Sequence, residues 1–169
     1  VTCITLLGLL ACGCVAPRRA PEQGNAVPVP VVAPSPEVAP AAPPDPAARF
    51  IDAATAMLGQ PYRYGGAAPG GFDCSGLVNF AARATGLALP RTTQELLTVG
   101  EPVPLDGLQP GDLVFMHLAA KELHVGIAVD PRRFVHAPSS GGVVRIDSLD
   151  APPYAKALLG ARRLRFRSP

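Results

Sequence analysis

From Cys74 onward, small and apolar residues return at Leu77, Val78, Ala81, Ala82 and Thr85, the 3-4-7-8-11 spacing of one buried helix face, with Gly86 as its C-cap. Upstream, Pro46 opens a second helical pattern carried by Phe50, Ala53, Ala54, Met57 and Leu58, and Gly59-Gln60-Pro61 closes it. A short third helix is expected from Thr92 or Thr93 to about Val99. Residues Tyr62 to Gly71 read as a glycine-rich, aromatic loop. After the turn Gln109-Pro110-Gly111-Asp112 the period changes from helical to strand-like. Strands are expected at Leu113–Met116, His124–Val129, Arg133–Ala137, Val143–Ile146 (after the Gly141-Gly142 turn) and Ala161–Phe166. Helices first and strands second predict an α+β domain, with N-terminal helices packed on an antiparallel sheet.

Composition divides the 169 residues into three parts. Ten of the 21 prolines fall between Pro17 and Pro46, among Ala and Val, so residues 17–46 read as a disordered linker. At ~3.1 Å per residue it would reach on the order of 90 Å. The folded domain is then 47–169, with its patterned part between about Ala47 and Phe166. Residues 1–16 contain the apolar run Ile4 to Ala11, too short to span a bilayer at ~20 residues but suited to an export signal. Leu9-Leu10-Ala11-Cys12 resembles a bacterial lipoprotein box, with Cys12 as the acylated residue and Cys14 as the alternative. No Lys or Arg precedes the run, which is expected if the start has been assigned too far downstream. A net charge of +2 gives no argument for nucleic acid.

Three of the four cysteines lie in the first fourteen residues, so the domain holds only Cys74 and can form no internal disulfide. A lone cysteine with histidines elsewhere suggests a nucleophile. Cys74 follows a glycine-rich turn and opens a helix, where the dipole and free backbone N–H groups favour a thiolate and can receive an oxyanion. Of His117, His124 and His136, the last two fall on strands joined through Asp130-Pro131-Arg132. His124 shares its face with Gly126 and Ala128, while Val125, Ile127 and Val129 face the core; that leaves His124 among small neighbours, with room for a helix or substrate. His136 shares a face with Phe134, and a short loop would make the two histidines cross-strand partners ~5 Å apart at Cβ. One imidazole could then orient the other toward the thiol. His117 has no evident partner, and the spacing of the three histidines is not that of a structural zinc motif, so no metal is expected. Arg162, Arg163, Arg165 and Arg167 alternate with Leu164 and Phe166 as the solvated side of a half-buried edge strand.

Six segments occur in a familiar order: Tyr62-Arg63-Tyr64-Gly65-Gly66, Phe72-Asp73-Cys74-Ser75-Gly76-Leu77-Val78, Leu89-Pro90-Arg91-Thr92-Thr93, Pro110-Gly111-Asp112-Leu113-Val114-Phe115, His124-Val125-Gly126-Ile127 and Phe134-Val135-His136-Ala137. Together they closely resemble the NlpC-type papain-like cysteine peptidases of bacterial cell-wall remodelling. The resemblance implies Cys74 as nucleophile, His124 as base, His136 as the residue orienting that base, and Tyr62 beside the oxyanion site. Asp73 and Ser75 would line the substrate cleft, although Asp73 could equally cap the helix. Arg91 is either a cleft-edge residue or a solvated loop arginine. The implied reaction is hydrolysis of an amide in the peptidoglycan stem, at the D-glutamyl–diaminopimelate bond or at the cross-link, through an acyl-enzyme and without a cofactor. A retired peptidase acting as a wall-binding scaffold, or an amide or acyl transferase with the same thiol chemistry, is the alternative. The resemblance and the N-terminus together imply a monomeric lipoprotein on the periplasmic face of the outer membrane, or a soluble periplasmic protein, whose partners are stem peptides and, through the anchor, the membrane.

Overall fold

Pro46, whose fixed φ suits the first helical position, opens helix α1 (Pro46–Thr55) in a computed structural model that describes residues 45–118, 122–140 and 142–166. The expected signal segment, acylated Cys12 or Cys14, and the linker up to residue 44 fall outside the described residues, as does Arg167, while Pro46, expected as the linker's last residue, belongs to α1. Helix α1 buries Phe50 and Ala54 and ends three residues before the expected Leu58, which is 45% exposed on the following turns. A two-residue hairpin, β1 (Ala67–Ala68) and β2 (Gly71–Phe72), leads into α2 (Cys74–Ala84). Leu77, Val78, Ala81 and Ala82 form the buried face that the periodicity predicts. The helix closes with Gly86 N–H donating to Arg83 C=O and Leu87 N–H to Ala82 C=O, the pair of bonds that satisfies a helix end. Helix α3 (Thr93–Leu96) is shorter than expected and starts on a capping box between Thr92 and Glu95.

The remaining elements are β3 (Glu101–Val103), a 3₁₀ turn (Leu105–Gly107), β4 (Leu113–His117), β5 (Leu123–Ala128), β6 (Arg133–His136), β7 (Arg145–Ser148) and β8 (Leu158–Arg163). They form a six-stranded antiparallel sheet in the order β3-β8-β4-β5-β6-β7. The α+β expectation holds. Three details of the strands differ from it. Strand β3 is too short and too exposed to give a pattern. Strand β7 starts two residues later than expected, and β8 lies three residues earlier than the alternation from Ala161 suggests. Arg163 and Arg165 are paired with Asp112 and Glu101, so this basic stripe is largely neutralised by its own neighbours.

The helices cover one face of the sheet, where Phe50, Phe72, Leu77, Val78, Phe115, Val125, Ile127 and Val135 make the main core. The other face is also covered. Leu149 and Tyr154, on the chain returning from β7 to β8, pack there with Val114, Met116, Ala128, Phe134 and Ala161. Tyr154 therefore lies over the histidine-bearing face of β5 and β6, against His136. His124 is 1% exposed and His136 not at all. Burying rings such as Phe50 or Phe134 is worth ~1.5–3 kcal/mol each, so both layers contribute to holding the strands that carry the histidines.

Candidate active site

Asp73 determines where Cys74 sits. It is the N-cap of α2, with Oδ1 accepting from Gly76 N–H at 2.6 Å and Oδ2 accepting from Gly65 N–H at 2.9 Å. Arg91 closes the arrangement, its guanidinium donating to Asp73 Oδ2 at 2.5 Å and Oδ1 at 3.0 Å, and to Ser75 Oγ at 2.8 Å. Burial alone would raise the Asp73 pKa, but the bonds from Arg91, Gly76 and Gly65 hold it below the ordinary carboxylate value. Asp73 caps the helix and also lines the cleft, with both oxygens committed to neighbours there. Arg91 is a cleft-edge clamp on the nucleophile's helix, not a solvated loop residue.

Close approach of backbone makes this packing possible. A Cβ at Gly76 would lie 1.9 Å from Gly66 O, so α2 can dock on the glycine-rich loop only with glycine at its third position. Asp73 N–H bonds the same carbonyl at 3.0 Å. Tyr62 runs beside Phe72 in an isolated parallel bridge, which carries its side chain to the rim of the Cys74 cleft. Burial first, then the negative charge of Cys74 and Asp73, raises the Tyr62 pKa and keeps the phenol a donor.

The Cys74 thiol lies 3.5 Å from the Thr93 hydroxyl and against the backbone N–H of Val125, the chain neighbour of His124. Its hydrogen-bonding side-chain partner is thus Thr93, which the sequence marks only as a possible helix start and as part of a segment. Burial opposes the thiolate that the helix start favours: it pushes the thiol pKa up, and the Thr93 hydroxyl and the N–H groups of Val125 and Ser75 only partly offset it.

The two histidines meet, though not as direct cross-strand partners. Strands β5 and β6 pair Ile127 with Val135 and Ala128 with Phe134, and continuing that register sets Gly126 opposite His136. The turn is centred on Pro131, one residue later than an equal spacing of His124 and His136 requires. They are diagonal neighbours on one face, and Gly126 leaves the space between them: a Cβ there would sit 2.5 Å from the Phe134 ring. His124 Nε2 and His136 Nδ1 lie 2.8 Å apart, with the rings edge to face at 5.0 Å. Burial, then the proximity of His136 and Arg145, pushes the His124 pKa down to about 3. Beyond His136 stands an acid that the sequence reading missed: His136 Nε2 is 2.9 Å from Asp147 Oδ2, which also accepts from Arg145 Nε at 2.8 Å and from the Tyr154 hydroxyl at 2.6 Å. Register pairs Phe134 with Asp147 and His136 with Arg145, so the signal was an Arg-x-Asp alternation on the strand next to a histidine.

A cleft of about 780 Å³ runs past Cys74, lined by Tyr62, Tyr64, Asp73, Ser75, Arg91 and Thr93 on one side and by His117, Glu122 and Leu123 on the other. No group of three or more potential metal ligands occurs among the described residues. A thiol at a helix start against the backbone of Val125, a buried imidazole on the preceding residue His124, and an open groove suit attack on a carbonyl held in that groove.

Residues 59–163 match the NlpC/P60 family. A probable endopeptidase of Mycobacterium bovis is 45% identical over 101 residues, which are 60% of this chain and 26% of that protein. The Escherichia coli K12 protein named murein DD-endopeptidase MepS/murein LD-carboxypeptidase is 40% identical over 121 residues, 71% of this chain and 64% of that protein. The crystal structure of an NlpC/P60 family protein from Bacillus cereus superposes with a TM-score of 0.66 at 31% identity, over 72% of this chain and 41% of that one. This chain therefore spans about a quarter of the mycobacterial relative's length and less than two thirds of the E. coli relative's.

Proposed function

The chain belongs to the NlpC/P60 family, and from that premise we propose that its cleft hydrolyses an amide bond in the peptide stem of peptidoglycan. The observation that carries this reading is a lone thiol at the start of α2, lying in an open groove and against the backbone of Val125, next in the chain to a buried His124–His136–Asp147 chain of bonds. Cys74 Sγ attacks the scissile carbonyl carbon while its proton passes to His124 Nδ1, the nitrogen that His136 does not occupy. The carbonyl oxygen takes up the electron pair. Gly76 N–H is already committed to Asp73, so the oxyanion falls to the N–H groups at Cys74 and Ser75 and to the Tyr62 phenol. Collapse of the intermediate breaks the C–N bond as His124 returns the proton to the leaving amine. Water, deprotonated by His124, then releases the acid and restores the thiol.

The test is incubation of the purified protein with cell-wall sacculi and mass spectrometry of the soluble fragments, beside the Cys74→Ala variant. Fragments from the wild type alone support the reading, and equal release by both contradicts it. Tyr62→Phe should retain activity but lose about 3 kcal/mol of transition-state stabilisation, a kcat roughly 100-fold lower. An unchanged kcat would remove Tyr62 from the oxyanion site.

The same reading places the protein outside the cytoplasm, tethered by lipid at Cys12 (or Cys14) to the periplasmic face of the outer membrane, with the proline-rich stretch as its reach to the wall. The support is the sequence from Ile4 to Pro46. Metabolic labelling with a fatty-acid analogue should mark the protein and fail to mark a Cys12→Ser, Cys14→Ser double variant. Label on that double variant would overturn the assignment.

A further inference from the structure

We infer that Asp147 is a positioning residue for this reaction: its carboxylate fixes the tautomers of both histidines and so presents a bare Nδ1 on His124 to the thiol. The inference rests on the proposed role of His124 as base.

The argument starts at the far end of the chain of bonds. Asp147 Oδ2 faces three groups, Tyr154 Oη at 2.6 Å, Arg145 Nε at 2.8 Å and His136 Nε2 at 2.9 Å. Arg145 can only donate, and it also donates to the Tyr154 oxygen at 3.2 Å, which turns the phenol proton toward Asp147. Burial alone would raise the Asp147 pKa, yet Tyr154, Arg145 and His136 together bring it down to about 2. A carboxylate in that state has only lone pairs to offer. His136 Nε2 must therefore carry a proton.

His136 is fully buried, and burial outweighs the pull of Asp147 to keep its pKa below the ordinary value. With one proton, already on Nε2, its Nδ1 is an acceptor. The partner 2.8 Å away, His124 Nε2, must then donate. His124 is itself neutral, so its own Nδ1 is left without a proton. The opposite tautomers would set the bare Nε2 of His136, itself fully buried beside Phe134 and Tyr154, against the carboxylate, an arrangement with no donor between them. The direction of every bond in the chain thus follows from one charge on β7. When His124 takes the thiol proton its Nε2–H still donates to His136, so no bond has to turn over during the reaction.

The test is ¹⁵N NMR of the full chain, in which three histidines give a readable set of imidazole signals. In the wild type at neutral pH, His124 and His136 should both show a protonated Nε2 and a bare Nδ1. Asp147→Leu removes the acceptor that holds the proton on His136 Nε2. The reversed tautomers should then become populated, and kcat should fall by at least about 10-fold with KM unchanged. Tyr154→Phe removes one donor but keeps the carboxylate, so it should retain the wild-type tautomers. A wild type with Nδ1–H on His124, or an Asp147→Leu protein with wild-type tautomers alone, overturns the inference. Should Asp147→Leu fail to fold, the wild-type and Tyr154→Phe spectra decide it. Absence of sacculus cleavage by the wild type would count against the proposed function, while the spectra would still decide the tautomers.

Discussion

Replacing Cys74 with alanine should lower amide hydrolysis on the order of 10⁶-fold, to the residual rate that binding and oxyanion donors alone support. The size of the effect follows from the site's construction. No second nucleophile is available: Ser75 is buried with its hydroxyl held by Arg91, and the Thr93 hydroxyl lies buried against the thiol it would have to replace. The variant should fold, because Cys74 is only partly buried and contributes no bond to the cap of its helix. Thermal unfolding near the wild-type midpoint with activity at background is the expected pair of readings. Activity within 10-fold of wild type would mean that the thiol is not the nucleophile.

Gly76→Ala should be the most damaging single substitution outside the reacting groups. The added methyl would meet Gly66 O at 1.9 Å, and that loop has nowhere to withdraw, since Gly66 itself stands 2.3 Å, measured from an added Cβ, from Gly71 O. Either α2 tilts off the loop or the loop breaks its bonds to Asp73 and Arg91. Overpacking of this kind costs ~1–3 kcal/mol, and each kcal/mol is worth about 4–8 °C in a small domain, so the midpoint should fall by roughly 5–20 °C. Activity should fall further than stability. Below the new midpoint kcat should still be reduced on the order of 100-fold, because the displaced turn carries Cys74 and its oxyanion donors. Calorimetry and kcat measured on the same preparation separate the two effects; a midpoint within 2 °C of wild type would contradict the close approach.

Much of this arrangement is legible in the chain. The phase of α2, the cap at Asp73, the thiol at its start and the shared face of His124 and His136 follow from spacing alone, because helix and strand periods are local properties. What escaped the reading depends on contacts between distant segments. Gly76 inside a helix reads only as a cost until Gly66 is seen beneath it. The histidine register turned on whether the hairpin centre was Asp130 or Pro131, a one-residue difference that leaves the face unchanged but moves the partner. The burial that opposes a thiolate at Cys74 also depends on distant segments, since Val125 of β5 and Thr93 of α3 lie against the thiol. Asp147 was missed because the strand expected at Val143–Ile146 stops short of it, and Tyr154 because it comes from the chain that closes the far face of the sheet, a layer whose existence no single strand predicts.

The central claim is that Cys74 becomes acylated by the stem peptide. A defined muropeptide should be mixed with the protein, the reaction quenched in acid within a turnover, and the digested protein weighed. The peptide containing Cys74 should carry the mass of the acyl half of the substrate, and this increment should vanish in Cys74→Ala. Turnover that proceeds with no adduct on that peptide, at full rate in the alanine variant, would contradict the account.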